Sequence, residues 1–186
     1  MLDLMFVASF GNWKFDGDAN GNYQETEYNS EGQAVGYTTT EYAYALDGLY
    51  VGDMPQTSYV LGVTLKPIKD LRIQAIHKMY DKNYSDWSPS AREFDGTNDD
   101  ADRAQVWEAP SYNRLDLHMS YKLPKVKDLD MMLTANIFNV LDEVYVQDAV
   151  DNSQYNGYGS KNHLPHNAEV FLGTPRYANI GLSIGF

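Results

Sequence analysis

The chain has 186 residues, a net charge of −12 from 14 Lys+Arg against 26 Asp+Glu, 15 tyrosines and no cysteine. The missing cysteine excludes a disulfide framework, thiolate zinc sites and cysteine nucleophiles, and the acidic balance argues against nucleic acid as a partner, since a phosphate-binding footprint would be basic. No run approaches the ~18 consecutive apolar residues of a membrane helix, whereas a membrane β-barrel stays open because its strands hide apolar residues at alternate positions.

Period-2 alternation, the mark of strands whose two faces meet different surroundings, recurs in six segments. In the first, Leu2, Leu4, Phe6, Ala8 and Phe10 oppose Asp3, Met5, Val7 and Ser9. A long link over 16–56 leads to Tyr59, Leu61, Val63 and Leu65, then a tight turn over 66–70, then Leu71, Ile73, Ala75, His77 and Met79. The second long link, 83–110, contains Asp100–Glu108, the one candidate for a short helix. Ser111–Leu123 is the clearest strand, with Leu115, Leu117, Met119 and Tyr121 opposite Arg114, Asp116, His118 and Ser120. A turn over 124–128 precedes Leu129, Met131, Leu133, Ala135 and Ile137, whose partners Met132, Thr134, Asn136 and Phe138 make a mixed face. The third long link, 141–174, leads to Ile180, Leu182, Ile184 and Phe186 alternating with Asn179, Gly181, Ser183 and Gly185.

Links thus alternate long and short, as in a barrel with one rim of excursions and one of tight turns. The acid sorts with the long links. Residues 16–56 hold eight acids and no Lys or Arg, 83–110 seven against two, and 141–174 five against one. A solvated, self-repelling loop crown explains this more simply than a field that attracts cations. Strands of roughly ten to thirteen residues suit a tilted bilayer crossing better than the ~5–6 residues of soluble strands. Aromatics near strand ends, among them Trp13, Tyr80, Tyr112, Tyr121 and Tyr177, suit the headgroup zone. The expected fold is all-β: an antiparallel, up-and-down transmembrane barrel segment. Six strands cannot close a barrel that needs at least eight, so residues 1–186 are expected to be a segment of a larger protein, without a leader sequence.

Several stretches resemble the C-terminal part of TonB-dependent outer-membrane receptors. They are Val51–Thr57 ahead of a strand, Ala109–Leu117 leading into another, and, most specifically, Ala135-Asn136-Ile137-Phe138-Asn139-Val140-Leu141-Asp142-Glu143-Val144-Tyr145. Gly173-Thr174-Pro175-Arg176 is similar to the family's Gly-x-Pro-Arg, and the terminal Ile180, Leu182, Ile184 and Phe186 to its assembly signal. The resemblance implies an outer-membrane location and energy-coupled uptake of a scarce ligand such as a siderophore, cobalamin or glycan. The implied partners are the rest of the barrel, a plug domain absent from these residues, lipid, the barrel-assembly machinery, and the TonB complex acting through the plug. The three long links would lie outside the cell.

Within them Trp87, Trp107, Tyr155, Tyr158 and Phe171 are the candidate ligand contacts, because aromatic side chains dominate recognition surfaces; loop packing is the competing role for each. Asp16, Asp18, Asn20 and Glu27, with Gly21 between, have calcium-loop spacing, although strand-like flanks and a glycine-rich loop explain them more simply. His163 and His166 lie three apart beside Pro165, which disfavours the helix that would align them on a metal; His118 faces the polar side of its strand. No nucleophile–base pair, phosphate-cradling loop or paired-carboxylate signature points to an enzyme. The rival expectation is a soluble surface β domain that binds carbohydrate or mediates adhesion.

Overall fold

A computed structural model describes residues 1–94, 101–152 and 162–186. Its strands, in chain order, begin with β1 (Leu2–Phe10), β2 (Ala19–Tyr28), β3 (Ala34–Tyr44), β4 (Thr57–Leu65) and β5 (Leu71–Asp81). After β6 (Asn83–Tyr84), a single helical turn, α1 (Pro89–Arg92), precedes β7 (Glu93–Phe94) and β8 (Glu108–Ala109). The chain continues with β9 (Tyr112–Lys122), β10 (Asp130–Phe138), β11 (Val146–Val150), β12 (Glu169–Leu172) and β13 (Tyr177–Gly185).

The six alternating segments are β1, β4, β5, β9, β10 and β13, and they form one antiparallel sheet in that order. Each strand therefore pairs with the next of the set, an up-and-down meander. Register preserves the two faces throughout, since a one-residue slip would exchange them. One row crosses the whole sheet as Leu4, Val63, Ala75, Leu117, Ile137 and Ala178. The opposite face carries Lys78, Arg114, Asp116, His118, Asn136 and Asn179, with the row His118–Asn136–Asn179 joined by hydrogen bonds of 2.8 Å each. The sheet is open, with β1 and β13 as its edges.

No second layer covers the apolar face among the described residues. Leu4 is 70% exposed, Phe6 69% and Ile180 80%. The main buried apolar cluster lies instead in the long links, where Leu46, Leu49, Tyr84 and Val106 pack with Phe15, Tyr44, Tyr50 and Trp87 around them. The short turns at the other end pass through left-handed Asp70 (φ 70°) and Lys127 (φ 54°).

Two expectations are corrected here. Of the expected helix Asp100–Glu108, residues 101–108 are not helical: 101–107 are irregular and Glu108 begins β8, while Asp100 lies outside the described residues. Side-chain bonds satisfy backbone groups there without a helix, with Gln105 Nε2 donating to Gly48 O at 2.7 Å and Asp102 Oδ1 accepting from the Ala104 N–H at 3.2 Å. The helical turn falls at Pro89, whose fixed φ and absent N–H suit a first helical position. The long links also contain more strand than alternation indicated. β2 and β3 form a ten-residue ribbon whose turn is closed by Asn29 Oδ1, which accepts from the N–H groups of Glu31 and Gln33. β3 pairs β7, β6 pairs β8, and β11 pairs β12.

Candidate functional site: the loop crown and its rim

The rim is built where β10 ends. Asn139 turns the chain with φ 50°, a left-handed conformation that Asn tolerates better than most residues. Its N–H donates to Asp116 Oδ1 at 3.0 Å, and its side-chain amide donates to the carbonyls of Glu143 (2.9 Å) and Thr174 (3.2 Å). The amide oxygen accepts from the Glu143 N–H at 3.1 Å. Asp142 then accepts from the Arg176 N–H at 2.9 Å. Tyr145 stacks on Tyr112 at 4.3 Å, receives a hydrogen bond from Arg114 at 3.2 Å, and lies so close to Gly173 that a Cβ there would stand 1.9 Å from its ring. Asn139, Asp142, Tyr145, Gly173 and Arg176 thus converge in one knot joining β10 to β13. Beneath it the buried Asp116 takes Lys78 at 2.9 Å and Arg114 at 3.6 Å.

Above the rim, the aromatic side chains of the crown pack on one another. Tyr50 and Tyr84 stack at 4.1 Å, and Lys14 sits 4.5 Å over the Tyr50 ring. Burial, reinforced by the Glu108 carboxylate, pushes the Tyr84 hydroxyl up to about 12. Trp87 packs against Tyr44 at 5.3 Å. Burial also raises the Asp86 carboxyl and that of Asp148, each with Asp53 adding to the effect.

Two polar ties cross between links. Asp18 receives both Nη groups of Arg103 at 2.8 Å and caps the Leu46 and Asp47 N–H groups at 3.0 Å. The hydrogen bond from Arg103, followed by that from Asp47, holds its carboxyl far below the ordinary range. The second tie centres on Arg92, fully buried, whose guanidinium donates to Asp102 O at 2.8 Å and lies 3.4 Å from Asp151. His163 bridges the same two acids, with Nε2 at 2.9 Å from Asp102 and Nδ1 at 2.5 Å from Asp151. Burial lowers the Arg92 pKa, and the Asp102 and Asp151 charges oppose that.

The candidate residues fall out as follows. Trp87 belongs to the buried packing of the crown, and half-buried Trp107 lends its carbonyl to the N–H and hydroxyl of Ser85. Phe171, on β12, is 47% exposed. Tyr155 and Tyr158 lie outside the described residues. The calcium-loop spacing is corrected. Asn20 and Glu27 lie on one extended strand, seven residues and therefore about 23 Å apart and on opposite faces. Asp18 is committed to Arg103, Glu27 to the Thr38 hydroxyl, so Asp16, Asp18, Asn20 and Glu27 do not converge. His163 and His166 likewise part, the first within the Arg92 tie and the second exposed on a 3₁₀ turn, Pro165–Asn167. Ile180, Leu182, Ile184 and Phe186 are exposed; the first three lie on the apolar face of β13.

Residue-type patterns did not single out the base of the β2–β3 ribbon. There a cavity of about 360 Å³ is lined by Asn20, Gly21, Asn22, Glu41, Tyr42, Ala43 and Phe94. Cross-strand pairing places Asn20, Ala43 and Phe94 in one row and, past the Gly21–Tyr42 pair, Asn22 and Glu41 in the next row on the same face. Family models, curated proteins and solved structures were all compared with the chain, and none matches it.

Proposed function

We propose that this chain is a wall segment, with its external loops, of a TonB-dependent outer-membrane receptor that imports a scarce ligand such as a siderophore, cobalamin or glycan. The observation that carries the reading is the continuous apolar face of a six-stranded meander, left in contact with solvent. Burying one Leu, Ile or Phe side chain is worth about 1.5–3 kcal/mol, so a whole exposed face of them calls for hydrocarbon. Strands of 9 to 11 residues match the length of a tilted bilayer crossing. Unpaired backbone groups along β1 and β13 would be satisfied by neighbouring strands of the complete barrel, because open edges are not tolerated in lipid. The polar face would line the lumen, where the plug sits, and the tied loops would meet the ligand outside. In this reading the chain binds and admits, and makes or breaks no bond.

The test is flotation. The refolded chain, mixed with phosphatidylcholine vesicles and centrifuged on a sucrose gradient, is expected to rise with the lipid and to remain there through a carbonate wash. A monodisperse monomer in detergent-free buffer that stays at the bottom of the gradient would overturn the proposal in favour of a soluble surface domain.

A further inference from the structure

The cavity at the base of the β2–β3 ribbon has a composition that selects a ligand class, and we infer that it is a binding site for a neutral sugar ring. The geometry starts from register. Ala43 is the small residue in a cross-strand row between Asn20 and Phe94, so its missing side-chain bulk opens a depression with an amide on one side and an aromatic ring on the other. Two rows along, on the same face, Asn22 and Glu41 extend the polar edge. The cavity's volume, about 360 Å³, lies within the range of small-ligand sites, roughly 300–1,000 Å³.

The polar groups around it are uncommitted. Among the described residues the side chains of Asn20, Asn22 and Glu41 make no hydrogen bond, although all three line the cavity. Phe94, by contrast, is held: Arg103 lies 5.6 Å over its ring and is itself anchored by both carboxylate oxygens of Asp18. A fixed aromatic wall beside free amide and carboxylate groups is preorganised in its apolar part and adaptable in its polar part.

Chemistry then sorts the occupants. Each Asn amide offers donors and an acceptor, and Glu41 offers acceptors only. A cation, which only donates, would leave the amide N–H groups unused. An anion would meet Glu41 and the surrounding carboxylates of residues 16–56, which include no Lys or Arg. A hydroxyl both donates and accepts, so a polyol edge satisfies all three side chains while the C–H face of its ring lies on Phe94. The combination of an apolar ring face with a hydroxylated rim is that of a pyranose. As the ligand site of an importer this inference rests on the receptor reading; as a binding site it stands on the ribbon alone.

The experiment uses the full chain in detergent micelles on an array of neutral oligosaccharides, with calorimetric titration of each glycan retained and of spermidine as a cationic probe. Binding of at least one neutral glycan is expected. Glu41→Gln, Asn22→Ala and Phe94→Leu should each weaken it about tenfold, the loss expected for one charge-assisted hydrogen bond or one packing surface. Ala43→Leu, which fills the depression, should abolish it, while circular dichroism shows the strand content unchanged. No retained glycan, retention unaffected by Ala43→Leu, or spermidine binding alone would each overturn the inference. Flotation reads the receptor proposal separately: a chain that stays in buffer yet binds sugar through Phe94 loses that proposal and keeps this one.

Discussion

Replacing Asn139 by alanine tests whether the rim knot is a structural lock. Asn139 is 1% exposed and its side chain makes three hydrogen bonds, to Glu143 O, Glu143 N and Thr174 O. Glu143 and Thr174 are themselves exposed, so water can serve the groups left behind. Each bond is therefore worth about 1 kcal/mol rather than the larger penalty of a buried orphan. Alanine must also adopt φ 50°, which costs an L-residue without a local side-chain hydrogen bond about 1 kcal/mol. The expected loss is about 4 kcal/mol, a large share of the roughly 5–15 kcal/mol that holds a domain folded. Asn139→Gly removes the same three bonds and escapes the dihedral cost, so it should be milder by about 1 kcal/mol. Urea unfolding in micelles, followed by the fluorescence of Trp13, Trp87 and Trp107, measures both. A loss below about 1 kcal/mol for the alanine variant, or a glycine variant less stable than it, would refute the reasoning.

Three further outcomes follow from neighbouring contacts. Asp116→Asn keeps an acceptor for the Asn139 N–H but strips the counter-charge from Lys78 and Arg114, and should cost about 3 kcal/mol by the same urea assay. Gly173→Ala forces a methyl into Tyr145, which cannot retreat because Tyr112 and Arg114 hold it; little folded protein should accumulate, and the Gly173→Ala/Tyr145→Ala double variant should recover part of the loss in protease resistance, the sign of direct coupling. Asp18→Asn should lower the urea midpoint at pH 7 but not in strong acid. A carboxyl held below its ordinary 3.8 stabilises the fold above that value, and the contribution disappears as pH falls through the lower folded-state pKa. A difference between the two proteins that persists unchanged at pH 1 would contradict this.

The six meander strands were legible because each exposes two chemically different faces to a period of two, and Leu115, Leu117 and Met119 against Arg114, Asp116 and His118 show it without any tertiary context. The ribbon escaped for the opposite reason. β2 reads Ala-Asn-Gly-Asn-Tyr-Gln-Glu-Thr-Glu-Tyr, polar on both faces, so pairing with β3 leaves no hydrophobic period to detect. Spacing alone likewise does not report whether a chain curls: Asn20 and Glu27 lie on an extended strand, in line with the strand-like flanks. The apolar cluster of the long links draws Leu46, Leu49, Tyr84 and Val106 from two links separated by β4 and β5, which removes any periodic trace. In the rim motif the residues were visible but not their roles. Why Gly173 must be glycine appears only when the Tyr145 ring is found against it, and why Asn139 turns the chain only when its amide is seen to join two carbonyls.

Charge in the crown completes the argument. Residues 83–110 contain two basic side chains, Arg92 and Arg103, and both are used as ties between links: Arg92 to Asp102 and Asp151, Arg103 to Asp18. Those cations therefore tie the loops together through Asp18, Asp102 and Asp151 instead of offsetting the remaining acid that faces solvent. Glu25, Glu31 and Glu41 are all exposed on or beside the ribbon, and at physiological salt a surface charge acts over about 8 Å. An anionic ligand approaching the cavity over Ala43 meets that field before it meets Phe94 or the two asparagines, whereas a neutral one arrives without penalty. The arginines thus contribute to selection indirectly: committed to Asp18, Asp102 and Asp151, they leave Glu25, Glu31 and Glu41 to set the sign of the field an approaching ligand meets.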